Sequence, residues 1–162
     1  TAATKRSLAS IAQRVQQLDA EIAELDDDLE ALLTPLAPTL LELFGVGYDV
    51  AGQLLVTAGD NPDRITSEAA FAHLCGVAPI PANSGKNQNN FRLNRGGDRA
   101  ANAALYRIVL CRLRYDERTR VYVERRTKQG KSKKHIIRCL KRYIAREVYA
   151  AIQTDLNPNI TP

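Results

Sequence analysis

Tryptophan and methionine are missing from this sequence, and phenylalanine occurs three times, so aromatic residues are only 6% of the chain. Tyr48, Tyr106, Tyr115, Tyr122, Tyr143 and Tyr149 are the remaining aromatics, and most fall at helical positions suited to core packing. That amphipathic role sets aside a phenol as the reactive group. Cysteine is also scarce. Cys75, Cys111 and Cys139 are odd in number and far apart, with no CxxC pair. This spacing excludes a disulfide framework and a cysteine zinc site, and predicts buried free thiols in a reducing compartment. No apolar run reaches spanning length and no signal peptide opens the sequence, so a cytoplasmic protein without membrane contact is expected. Of the two histidines, His73 has no evident partner and reads as a surface or packing residue. His135 lies in a basic helix and faces phosphate or solvent.

The 162 residues suffice for one compact domain with a helical appendage. Their formal net charge of +5 conceals a division. Residues 1–60 carry 3 basic and 10 acidic side chains, a net of −7, whereas residues 61–162 carry 20 basic and 8 acidic, a net of +12. Clustered Lys and Arg gain free energy by releasing counterions from a polyanion, which makes nucleic acid the expected partner of the second half.

Leu8, Ile11, Val15, Leu18, Ile22, Leu25, Leu29 and Leu32 follow a 3,4 spacing with no glycine or proline between them. A heptad seam of that length predicts a coiled-coil helix over residues 5–33, with a homo-oligomer formed through it as the expected pairing and a fold-back hairpin or packing on its own domain as the alternatives. The acidic run Asp26–Asp28 lies late in this helix, where the macrodipole disfavours it, and calls for a basic partner. Pro35 and Pro38 are expected to end the helix. Leu40–Phe44, Gly45-Val46-Gly47 and Val50–Leu55 then read as helix, tight turn and helix, the pattern of a helix-hairpin-helix. Glycines at 45 and 47 permit the turn and leave backbone N–H groups bare for a phosphate at the second helix.

After a linker at Asp60–Asp63, Thr66 or Ser67 caps a short helix through Leu74. Gly76 opens an irregular polar stretch reaching Gly97, with short β structure at Phe91-Arg92-Leu93. Asp98 caps a helix over Arg99–Tyr115, a second runs from Arg118 to Thr127, and Ser132 caps the last, through Ile152. In that helix Ile136, Ile137, Leu140, Ile144, Val148 and Ala151 form the buried stripe, while Lys133, Lys134, Arg138, Lys141, Arg142 and Arg146 stay wet. The fold class is therefore mainly α. Residues 1–34 form a coiled-coil arm, 35–154 a helix-hairpin-helix-containing domain with a loop-rich centre, and 155–162 a fraying tail.

The long polar stretch is where chemistry is expected. Asn83 and Gly85 leave the Ser84 hydroxyl uncrowded, and Lys86, Arg92, Arg95 and Arg99 follow. A serine among cations suits attack on a phosphodiester, because positive charge stabilises both the alkoxide and the pentavalent transition state. A Ser-Gly pair is also an ordinary turn.

Gly76–Pro79, Ser84-Gly85, Arg92, Arg95-Gly96-Gly97 and Ala104-Leu105, in this order, resemble the signature of the Piv invertase-like insertion-sequence transposases. This is the serine-plus-DEDD family, which includes bridge-RNA-guided recombinases. The segments Leu41–Leu55 and Tyr122–Ile152, with Lys128-Gln129-Gly130-Lys131, are similar to that family's C-terminal domain, and residues 5–33 resemble its coiled-coil arm. The resemblance spans residues 36–152 and implies a DNA strand-transfer role, with Ser84 at the position of the nucleophile. Gly45, Gly47, Lys86, Arg92, Arg95, Arg99, Lys131, Lys133 and Lys134 are the expected DNA contacts. It also implies DNA as partner, with a guide RNA in some members. Mg²⁺ would be held by four carboxylates of a separate N-terminal domain. The acids of this sequence fall mostly on the arm, so no metal site is expected here and no cleavage by this chain alone. The rival readings are a non-catalytic DNA- or RNA-binding module, with Ser84 as a turn residue, and an assembly element centred on the coiled coil.

Overall fold

The computed structural model describes residues 1–59, 65–82, 91–94 and 96–156. Within them the chain is mainly helical, in the order α1 (Ala2–Leu36), α2 (Pro38–Leu41), α3 (Tyr48–Ala58), α4 (Glu68–Leu74), β1 (Pro79–Pro81), β2 (Phe91–Leu93), α5 (Arg99–Tyr115), α6 (Glu117–Lys128) and α7 (Lys133–Leu156).

The first helix is 35 residues long, about 52 Å at the usual rise per residue. It runs through Pro35, which was expected to end it. A proline so near the C-terminus removes one N–H from the ladder, and the ladder resumes with Ala37 N–H donating to the Leu33 carbonyl at 2.9 Å. Pro38 starts the next helix instead, at a position where no intrahelical N–H is needed. That helix is a single turn. Its free N–H groups at Thr39 and Leu40 are taken by the Asp155 carboxylate, at 3.0 and 2.9 Å, which ties the end of α7 to the base of the arm.

The core lies where α3, α5 and α7 meet, with α4 packed on α7. Val50, Ala51 and Leu54 from α3 face Ala101, Ala104, Leu105, Ile108 and Val109 from α5. The 3.6-residue stripe Ile136, Leu140, Ile144, Val148, Ala151 and Ile152 completes the cluster. Small residues on α5 let the helix axes approach closely. Gly52 does the same for the arm, since a Cβ there would sit 3.5 Å from Leu33 and 3.9 Å from Leu29. Only the last turns of α1 use this dock. From Leu8 to Leu25 the seam is bare, and Leu8, Ile11, Ile22 and Leu25 are each 55–62% exposed.

Helix starts fall where the capping chemistry places them. Ser67 accepts from Ala70 N–H, Asp98 from Ala100 and Ala101, Asp116 from Thr119, and Ser132 from His135. All three cysteines are free thiols, but only Cys75 is buried; Cys111 and Cys139 are half-buried on the helix flanks. No helix among the described residues is long and apolar enough to cross a membrane. Residues 157–162, expected to fray, and the linker at 60–63 lie outside the described residues.

Candidate nucleic-acid interface at the root of the hairpin

The strand expected at Phe91-Arg92-Leu93 exists and pairs antiparallel with Pro79–Pro81, in the register Pro79↔Leu93, Ile80↔Arg92 and Pro81↔Phe91. Two prolines on β1 lack the N–H a longer ladder requires, so the ribbon is short. Arg92 is exposed on it. Ser84, Lys86 and Arg95 lie outside the described residues. What the structure does show is how the two roots of this hairpin are held.

Gly76 turns the chain out of α4 with φ +64°, a left-handed conformation that favours glycine. Val77 and Ala78 N–H both donate to the Ala72 carbonyl, at 2.9 and 3.0 Å. On the return side, Asn94 N–H donates to the Ala78 carbonyl at 3.1 Å and Asp98 N–H to the Leu74 carbonyl at 2.6 Å. The two roots cross in backbone contact at Gly97. A Cβ there would lie 2.7 Å from the Leu74 carbonyl oxygen and nearer still to the Gly76 backbone. Glycine at 97 is thus required by close approach.

Asp98 locks the return strand to two helices. One carboxylate oxygen caps α5, at 2.7 Å from Ala100 N, and the other accepts from the Thr57 hydroxyl at 2.9 Å. The Thr57 hydrogen bond, then the two backbone N–H groups, hold its pKa below the ordinary aspartate value against the opposing effect of burial. Cys75 beneath it is pushed up to about 12 by burial and by the Asp98 charge, so it is an inert packing thiol.

Asn102, one turn into α5, joins the turn to the last helix. Its amide N–H₂ donates to the carbonyls of Cys75 and Gly76, at 2.9 and 3.2 Å, and its side-chain oxygen accepts from Lys141 Nζ at 2.7 Å. Lys141 was expected among the solvent-facing residues of α7. It is instead 9% exposed, because α7 lies against α5 and its 141 position turns toward the hairpin root. Burial, then the nearby charge of Arg138, lowers its pKa. Gly76, Asn94, Asp98, Arg99, Asn102, Arg138 and Lys141 contribute to the walls of an open cleft of about 630 Å³. Lys134, Arg138 and Lys141 recur at helical spacing, so one cationic face of α7 leads into it.

The other expected contacts lie elsewhere. Gly45 has φ +87°, and a Cβ on it would meet Cys111 and Ile108 of α5 at 3.3–3.4 Å. Its conformation and its packing both require glycine, whatever the turn binds. Gly47 is the exposed N-cap of α3. Asp49 occupies the first turn of that helix and pairs with Arg107 at 2.6 Å. Lys131, Lys133 and Lys134 are exposed around the turn between α6 and α7, where Gly130 has φ +76°. Arg142, expected to be wet, is half-buried against Glu68, while Arg146, which pairs with the same carboxylate, stays exposed as expected. Burial works against the Glu68 charge, but the two guanidiniums hold its pKa below normal, which marks this trio as a brace between α4 and α7. His73 is exposed, with 3.4 Å between its ring nitrogen and the Asn94 amide.

Residues 37–124 match the sequence model of the transposase IS116/IS110/IS902 family. The chain belongs to this family. It is similar to the "Insertion element IS110 uncharacterized 43.6 kDa protein" of Streptomyces coelicolor, at 33% identity over 126 residues, covering 78% of this chain and 30% of that protein. It is also 29% identical over 126 residues to the "Insertion element IS900 uncharacterized 42 kDa protein" of Mycobacterium paratuberculosis, covering 76% of this chain and 32% of that protein. The chain therefore spans about a third of the length of these curated relatives. The matched region of the transposase family contains the helical turn at Gly45–Gly47, the whole hairpin and helix α5.

Sequence reasoning missed Asn102, Arg138 and Lys141 as parts of one cleft. A lysine spaced seven residues from Lys134 carried a weak signal, since a stripe of cations on one helical face can point into a site as well as into solvent.

Proposed function

We propose that this chain is the DNA-handling part of an insertion-sequence transposase and carries Ser84 as the nucleophile of strand exchange. Membership of the transposase family, with a matched region 37–124 that includes Ser84, is the observation that carries the reading. The rigid root at Gly76, Gly97, Asp98 and Asn102 supports it, because a group that must attack in line gains rate from a fixed mounting. Attack by the serine oxygen on phosphorus displaces a deoxyribose oxygen, which takes up the proton, and leaves a phosphoserine ester. The energy of the phosphodiester is kept for rejoining.

Arg92, Arg99, Lys131, Lys133 and Lys134 are exposed and make no ion pair among the described residues, so their charge is available to DNA, or to a guide RNA where one is used. Lys86 and Arg95 are assigned the same role from the sequence. Gly47 presents the N-terminus of α3 to a phosphate, with Arg107 neutralising Asp49 beside it. The donor set for Mg²⁺ does not fit this chain, since no group of three or more His, Cys, Asp or Glu that could hold an ion occurs among the described residues. The decisive experiment uses the intact transposase with Ser84→Ala. Wild-type protein should form a covalent adduct with DNA carrying its site, and the variant should form none. Adducts at the wild-type level would leave the non-catalytic DNA- or RNA-binding reading.

The arm is proposed to pair with that of a second copy. Residues 1–18 carry three basic side chains and no acid, whereas residues 19–36 carry seven acids and no base. An antiparallel pair sets each basic half against an acidic one. Leu8 then layers on Leu25, Ile11 on Ile22 and Val15 on Leu18, with Lys5 flanking Asp26 and Arg14 flanking Glu21. A parallel pair would instead bring Glu21 beside Asp26.

A further inference from the structure

We infer that the cleft between the hairpin root and α7 is a seat for one backbone phosphate of the nucleic acid, with Lys141 at its floor and Arg138 and Arg99 at its rim. The inference rests on the DNA-binding reading and adds a specific site to it. Three observations converge. Lys141 is more than nine-tenths buried, yet its ammonium has three donors and, among the described residues, one hydrogen-bond partner, the neutral Asn102 oxygen at 2.7 Å. A buried ammonium without a counter-charge is costly, and the expected remedy is a carboxylate. None among the described residues pairs with it. Asp98 lines the same cleft, but its oxygens are engaged by Ala100, Ala101 and Thr57. The second observation is that the wall beside Lys141 adds cations, not anions: Arg138 and Arg99 face the same space, and neither is ion-paired among the described residues. Like charges converging on an open cleft of about 630 Å³ repel one another, and an anion seated between them relieves that repulsion. Third, Asn102 couples that anion to the turn. The side chain that receives Lys141 also holds the Cys75 and Gly76 carbonyls, from which β1 leaves toward Ser84.

A phosphodiester fits this chemistry better than a peptide carboxylate. Its two free oxygens can accept from the buried ammonium while the rim guanidiniums reach the same or the neighbouring group. Lys141 is then a positioning residue: it holds the strand against the hairpin root and takes no part in bond making.

The test is thermal unfolding and duplex binding of the 162-residue chain as wild type, Lys141→Met and Arg138→Gln. Inorganic phosphate, compared with chloride at equal ionic strength, should raise the melting temperature of wild type and leave that of Lys141→Met unchanged. Without phosphate, Lys141→Met should melt at or above the wild-type temperature, because an unpaired buried charge has gone. Each variant should bind a short duplex about tenfold more weakly, with the slope of log K against log salt reduced by about one. Equal protection of wild type and Lys141→Met by phosphate, or wild-type duplex affinity in both variants, would overturn the seat. If Lys141→Met melts well below wild type, the lysine is a structural strut, and unchanged duplex binding by Arg138→Gln then overturns the proposal. Failure of the wild-type chain to bind any duplex would count against the DNA-binding reading, while phosphate protection would still report on the cleft.

Discussion

The arm and the helical domain bury apolar surface under different rules. In the domain, Ile136, Leu140, Ile144 and Val148 of α7 repeat at helical spacing and are all nearly inaccessible, because α5, α2 and α4 pack against that helix. In α1 an equally regular stripe from Leu8 to Leu25 stays bare, since only Leu29 and Leu33 reach the domain. Periodicity dictates a helix in both. Whether the stripe is a core or an interface depends on what the rest of the chain can bring to it. Charge separates the two regions as well. Acids on the arm lie along one half of a helix, whereas acids of the domain are mostly engaged as caps or in ion pairs with specific partners.

Substitutions that strike one region and spare the other sharpen this contrast. The largest effect is expected from Leu18→Asp with Ile22→Asp. It should weaken self-association by about a thousandfold in sedimentation analysis, four charges being buried per pair, while the domain's melting is unchanged. Monomeric wild-type protein, or unaltered association in the variant, would refute pairing through the seam. In the other direction, Gly97→Ala drives a methyl group into the Gly76 backbone and should destabilise the domain by about 3 kcal/mol in urea unfolding, leaving the arm helical. Asp98→Ala, which removes both the α5 cap and the acceptor for Thr57, should cost about 1–2 kcal/mol at pH 7. Because the folded state lowers the Asp98 pKa, its contribution is complete above the unfolded value of about 3.9 and is lost as pH falls through the folded value. The difference from wild type should therefore shrink in acid below about pH 4. The smallest effect is Arg14→Glu, which opposes Glu21 of the antiparallel partner and should weaken pairing by about 0.5 kcal/mol per contact at low salt. Spin labels at Ala3 fix the orientation independently. An antiparallel pair separates them by about 40 Å, and a parallel pair brings them within about 20 Å.

Much of this architecture was legible beforehand, for local reasons. Asp98, Ser67 and Ser132 each carry an oxygen that can satisfy a free N–H, so three helix starts could be read from single residues. Pro35 misled because a proline in a helix's last turn interrupts little, and Pro38 is at home in a first turn. The strand at Phe91–Leu93 was visible, whereas its partner Pro79–Pro81 was not, since prolines argue against a ladder and only the register shows which N–H groups it can omit. The candidate site was half legible. The serine proposed to react and the cations beside it could be chosen by residue type, but the Asn102–Lys141 contact joins positions 39 apart in sequence.

By itself the amino-acid sequence determined the helices, their caps, the heptad stripe and the segregation of charge, because each follows from interactions within a few residues along the chain. Tertiary structure alone decided that Gly97 must lack a side chain, that Gly45 packs on α5, and that Lys141 is buried while Lys134 on the same face is not. Those outcomes depend on which distant backbone or helix arrives at each position, and helical periodicity is the same whether the neighbour is water or another helix.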